Sequence, residues 1–194
     1  VDTEYFSPDH AFASPYAAGE RALVFTGAMD YWPNVDAVQW FCDEVFPSLR
    51  AQDPALAFYI VGSRPNAQVQ ALAALPGVTV TGTVPDVRPY IRHGCMAVAP
   101  LRIARGIQNK VLEAMAMATP TVVSPQALEG IDAAPGSELA VADGAPAWIA
   151  TVSALLARQH EQNASMGRAA RARVEQHYSW PSNLACIEER LECT

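Results

Sequence analysis

Six short apolar runs punctuate the sequence, and helical spacing fills most of the stretches around them. The runs are Ala22 to Met29, Ala57 to Gly62, Val78 to Val84, Met96 to Leu101, Pro120 to Ser124 and Glu138 to Ala142. Each is bounded by Gly, Pro or Asp, as strands are. Because the runs are apolar throughout rather than alternating, they suit strands covered on both faces, as in a parallel sheet. The helical segments are Asn34 to Ala51, Asn66 to Leu75, Val87 to His93, Gly106 to Ala118, Pro146 to Arg158 and Glu161 to Gln176. Strand–helix alternation of this kind requires right-handed crossovers, and it predicts an α/β fold: a Rossmann-like, doubly wound parallel sheet of about six strands with helices on both faces.

The two ends follow other patterns. Residues 1–15 carry aromatic and Pro residues without periodicity and read as a linker, and residues 16–177 form the domain proper. Tyr178-Ser179-Trp180-Pro181 breaks the last long helix. A further helix is expected over Ser182 to Leu191, with Leu184, Ile187 and Leu191 on one stripe.

Composition bounds the partners. Hydrophobic residues make up 51% of the 194 and charged residues 17%, a globular balance for one domain. With twenty acids against thirteen bases the net charge is −7, so nucleic acid is not expected as a partner; a backbone binder replaces phosphate counterions with Lys and Arg. Cys42, Cys95, Cys186 and Cys193 show no metal-ligand spacing and read as free thiols of a reducing compartment. His10, His93, His160 and His177 show none either and read as surface or capping residues. No apolar run is long enough to span a bilayer, and Val1 to Tyr5 lacks the features of a signal peptide. A cytoplasmic location is therefore expected. The absence of an initiating Met leads us to expect that the stretch starts inside a longer protein.

The segment richest in chemistry runs from Arg105 to Met117. On a helical wheel Ile107, Val111, Ala114, Met115 and Ala118 form a buried face, and Gly106, Asn109, Lys110, Glu113 and Met117 an opposite one. This segment follows the strand Met96 to Leu101, and open α/β sheets bind ligands at the carboxyl ends of their strands. Gly106 permits close backbone approach, free N–H groups at a helix start favour phosphate, and Lys110 adds a point charge. The two oxygens of Glu113 suit the paired hydroxyls of a ribose. A solvated face with a Lys–Glu pair fits the same residues. Gly27 stands alone after the first strand with no Gly-x-Gly-x-x-Gly, which argues against a dinucleotide dehydrogenase. Asn34 reads as the cap of the helix it opens, and Asp86 as the cap of the next-but-one.

The run Gly106 to Val123 resembles the C-terminal, donor-binding domain of GT-B retaining glycosyltransferases. These form the large group 1 or family 4 class that includes sucrose synthase and bacterial mannosyl- and glucosyltransferases. Their Glu-x7-Glu motif leads into "LEAMA.G.PVV", and its second Glu, which holds the nucleotide ribose, matches Glu113. Val1 to Pro8 resembles the interdomain hinge. Gly27 matches the glycine ending the first strand, Ile60 to Pro65 the "iVG.G" turn with Gly62 and Arg64, and Val78 to Ile91, with Val84, the segment that contacts the base. Tyr178 to Trp180 resembles the start of the helix that crosses back to the first domain, here residues 178–194. The segments Gly27 to Asn34 and Arg105 to Lys110 are closest to transferases of bacterial exopolysaccharide and exosortase loci.

The pattern has three departures. Arg105 stands where the family has its first motif Glu, so no catalytic residue carries over; Arg105 fits either a phosphate clamp or a surface arginine. The cations that many members place after the first strand are absent, leaving Arg64 and Lys110. Ala118 replaces the glycine closing the motif helix, where a left-handed cap costs more.

The resemblance implies transfer of a sugar from a nucleotide diphosphate sugar to an acceptor in polysaccharide or glycoconjugate synthesis, without cofactor or metal. The donor contacts expected are Gly27, Gly62, Arg64, Val84, Arg105, Gly106, Ile107, Gln108, Asn109, Lys110 and Glu113. It also implies a missing N-terminal acceptor-binding half, through which the whole protein would touch the inner face of a membrane. The fragment alone would then be inactive. Two other readings fit the residues: a GT-B-related nucleotide-sugar epimerase, and a non-catalytic nucleotide-binding module.

Overall fold

A computed structural model describes residues 1–180. The elements are β1 (Arg21–Thr26), α1 (Trp32–Trp40), α2 (Phe46–Gln52), β2 (Leu56–Val61), α3 (Ala67–Ala71), β3 (Val78–Gly82), α4 (Arg88–His93), β4 (Met96–Ala99), α5 (Asn109–Ala116), β5 (Thr121–Val123), α6 (Pro125–Leu128), β6 (Ala140–Val141), α7 (Gly144–Ala157) and α8 (His160–His177). All six apolar runs are strands. They pair in parallel in the order β3-β2-β1-β4-β5-β6, so the sheet is the doubly wound one expected of half a GT-B pair. The order reverses between β1 and β4, which opens a crevice at their carboxyl ends.

Alternation along the strands fills both layers. Leu23, Phe25, Phe58 and Ile60 point into the larger core, where Phe41 packs edge-on against the fully buried Trp148 at 5.7 Å. Val24 and Val61 point the other way and join Ile91, Ala114 and Met117. This two-sided burial is why the runs are apolar at every position.

Local chemistry sets the helix boundaries. Asn66 caps α3 by accepting from Val69 N–H at 2.9 Å, and Ser124 caps α6 through Ala127 N–H at 3.1 Å. The helical stretch from Trp32 to Gln52 widens into a π turn at Phe41–Val45. Pro47 lies just beyond and cannot donate to the carbonyl four residues back, which its ring would also strike; the wide turn relieves that clash. The expected cap Asn34 is instead inside α1, whose capping position is Tyr31. Asp86 does not occupy the capping position of α4 either, which is Val87, although its Oδ1 takes Arg88 N–H at 2.9 Å.

The largest correction concerns α5, which starts at Asn109 and not at Gly106. Gly106 has φ +68°, a left-handed turn that a helix cannot contain, and Gln108 is extended. Ile107 is therefore in the loop and 51% exposed, not on the buried face. Met117, expected on the polar face, is buried because it packs with Val24 and Ile91 in the smaller core. Val111, Ala114 and Met115 are buried as expected. The helix closes on Ala118 with φ +53°, the left-handed position anticipated there.

Residues 1–15 form neither helix nor strand and lie against the domain. Arg88 stacks 3.7 Å over the Tyr5 ring, and Arg171 donates to the carbonyls of Phe6 and Ala116 at 3.0 and 2.6 Å. The helix α8 ends before Tyr178, where the break was expected. The further helix expected over Ser182 to Leu191 lies outside the described residues, as do Cys186 and Cys193; Cys42 and Cys95 are free thiols.

Candidate functional site

A cleft of about 520 Å³ opens at the carboxyl ends of β1, β2 and β3, and α5, which follows β4 across the switch point, closes its other side. Its floor is made of the turns after β1 and β2, which are laced together. Gly27 N–H donates to Val61 at 3.0 Å, and Met29 N–H to Ser63 at 2.8 Å. The two glycines face each other: a Cβ on Gly62 would lie 1.7 Å from the Gly27 carbonyl oxygen. A Cβ on Gly27 would come within 2.7 Å of Asn34 Nδ2 and 3.2 Å of Lys110 Nζ. Only glycine fits at either position, and the backbone is thereby exposed to whatever occupies the cleft.

The far wall comes from α5. Lys110 turns inward over the Phe25 ring, with Nζ 4.3 Å from its centroid, and donates to Asn34 Oδ1. Asn34 is 5% exposed and fixes its own amide by donating to Ala28 carbonyl at 2.9 Å. Burial pushes the Lys110 ammonium down to about 7, against a smaller opposing pull from Glu113. Burial likewise raises the Glu113 carboxyl, and Lys110 partly offsets that. Gln108, the residue before α5, makes no side-chain cap. Its amide instead braces the preceding loop through the Gly106 carbonyl at 3.1 Å. The first turn of α5 therefore has no side-chain cap and stands in the cleft wall with Lys110.

Of the residues singled out in the sequence, Gly27, Gly62, Val84, Ile107, Gln108, Asn109, Lys110 and Glu113 line this one cleft. Arg64, Arg105 and Gly106 do not. Arg64 is turned outward and pairs with Asp30 at 3.0 Å. Arg105 is exposed on the loop before α5, and its guanidinium has no partner among the described residues. Gly106 shapes that loop instead of opening the helix. The cleft also holds residues not picked out in the sequence as ligand contacts, chiefly Asn34, Ser63 and Thr83. Asn34 had a visible signal, a polar residue one turn into a helix that starts at the Gly27 turn. None of the four histidines is near the cleft lining, and all are exposed or half-buried. Among the described residues no cluster has the makings of a metal site, and no helix is long and apolar enough to cross a membrane.

A parallel sheet in this order, with a cleft at its switch point, defines a Rossmann-like domain. Residues 20–158 match the family described as "Glycosyl transferases group 1", and the chain belongs to that family. No curated protein matches the sequence. Among solved structures, a glycosyltransferase from Rickettsia africae aligns with a TM-score of 0.77 at 15% identity, over 100% of this chain and 56% of that one. The Anabaena protein HepE, in complex with UDP and glucose, gives 0.77 at 12% identity over 100% and 55%. The C-terminal domain of a group 1 family protein from Francisella tularensis gives 0.69 at 13% identity, over 93% and 99%. At such identities these likenesses speak to the fold. The chain spans about half the length of the first two structures.

Proposed function

We propose that this chain is the donor-binding half of a retaining glycosyltransferase that moves a sugar from a nucleoside diphosphate sugar to an acceptor. The observation that carries this reading is the placement of the half-buried Lys110 and Glu113 together on one wall of the switch-point cleft, opposite the glycine floor. Glu113 supplies two acceptors for a ribose. Lys110 and the uncapped start of α5 supply positive potential where a pyrophosphate would gain charge as it leaves. In this reading no resident cofactor is needed. The family match supports sugar transfer, and HepE, a structural neighbour, is recorded with UDP and glucose. The residues around Gly27 and Arg105 further support a role in bacterial exopolysaccharide or glycoconjugate synthesis, at the cytoplasmic face of the membrane. The acceptor and its catalytic groups would belong to an N-terminal half of the whole protein, so this chain binds donor without transferring sugar.

Ligand-observed NMR with UDP, GDP, ADP and NAD tests the reading. Saturation transfer to one nucleoside diphosphate, weakened by Glu113→Ala, is the expected result and names the base. Equal signals with and without Glu113 would refute the assigned site. With the full-length protein, isomerisation of a nucleotide sugar in the absence of acceptor would identify an epimerase instead.

A further inference from the structure

A second cavity, of about 670 Å³, opens at the opposite end of the sheet. Arg21 begins β1 there, and Thr26 ends the same strand in the nucleotide cleft, so about 17 Å of strand separates the two openings. The ionisable side chains on its walls are Arg21, Arg92, Arg158, Arg168, His93 and His160, together with the Cys95 thiol, and no carboxylate lines it. In a chain of thirteen bases and twenty acids, this is a concentration of positive charge against the overall field.

The hydrogen bonding leaves much of that charge available. Arg21 is committed to Asp53 at 2.7 Å and to the Leu156 carbonyl at 2.8 Å. Arg92 uses only its Nε, toward the Pro8 carbonyl at 3.1 Å. The Arg158 guanidinium has no partner among the described residues. Arg168 holds the exposed Glu161 at 2.6 Å through a single Nη2. His160 is the first residue of the 18-residue α8, whose preceding Gln159 makes no side-chain cap, so the positive helix end adds to the arginines.

We propose that this cavity binds a phosphate-bearing anion, independently of the nucleotide cleft. Planar guanidinium forks match tetrahedral oxyanions in pairs, and a concave site shields them from salt better than an open surface does. The phosphate is either that of a soluble ligand or that of a lipid headgroup.

The 194-residue chain, labelled for amide NMR, is titrated with inorganic phosphate at constant ionic strength set by chloride. In parallel it is sedimented with vesicles of phosphatidylcholine, with or without phosphatidylglycerol. Saturable shifts confined to the segments around Arg92 and Arg158 support a soluble source; sedimentation only with phosphatidylglycerol supports a headgroup. Either signal should fall at least about tenfold in Arg92→Ala/Arg158→Ala, as expected for two cations facing an anionic group. Arg158→Ala alone serves as a second variant, because it removes no hydrogen bond of the fold. Absence of both signals, or a signal unchanged in both variants, would overturn the proposal.

Discussion

Lys110 reaches across the mouth of the first strand to donate to Asn34, joining α5 to α1 above the Gly27 turn. The lysine is thus aimed into the cleft before any ligand arrives, while burial holds its ammonium near the edge of ionisation.

Affinity for a nucleoside diphosphate should therefore depend on pH. Lys110 binds its proton less firmly in the free fold than the ordinary lysine does, and a neighbouring pyrophosphate restores it, so binding takes up a proton above about pH 7. Affinity is expected to fall with rising pH there, by up to about tenfold per pH unit. Calorimetry across that range should show the slope, and Lys110→Met should flatten it. The same shift has a stability consequence: between about 7 and the ordinary lysine value the unfolded chain holds more protons, so the free fold gains stability as pH rises.

Asn34 is predicted to act through Lys110. Asn34→Ala removes the acceptor of the lysine and should weaken nucleotide binding by roughly ten- to a hundredfold, in line with one lost hydrogen bond to a charged group. Asn34→Asp should move the midpoint of the pH dependence upward, because a carboxylate stabilises the ammonium. An unmoved midpoint would show Asn34 to be a packing residue only.

Gly62→Ala should destabilise the domain by about 3 kcal/mol, measured by denaturant unfolding, because the new methyl would collide with the Gly27 carbonyl and no flexible side chain can yield.

Ala118→Gly should act in the opposite sense. Ala118 has φ +53°, which costs an L-residue roughly 1–2 kcal/mol, partly offset by the extra freedom of glycine when unfolded. A gain of about 1 kcal/mol, or a melting temperature higher by about 2–4 °C, is expected.

Much of the architecture was legible in the sequence because two-sided burial leaves an unambiguous mark: Leu23 to Phe25 and Phe58 to Val61 are buried on both faces, Tyr59 alone being only partly so. Strands end earlier than the runs that mark them, because Gly27, Gly62 and Thr83 continue the run yet turn into the cleft. The start of α5 is not legible because periodicity counts apolar residues and cannot register the left-handed turn at Gly106, which takes Ile107 off the buried face that its spacing predicts. The spacing of Lys110 and Glu113 puts them on one helix face, and both line the cleft. Asn34 looks like a cap in the sequence because its partner Lys110 lies 76 residues away, a relationship that no local pattern encodes.

The contact between Gly27 and Gly62 also divides the site into parts with different freedom. Two turns packed backbone to backbone and joined by the Gly27–Val61 and Met29–Ser63 hydrogen bonds behave as one rigid plate. Any adjustment within this chain must then come from the opposite lip, where Ile107 lines the cleft and is exposed on the loop before α5. Substitutions in that lip can retune what the cleft accepts without disturbing the sheet, whereas the plate tolerates almost none. Chains of this design are therefore expected to diversify at one edge of the cleft and stay uniform at the other.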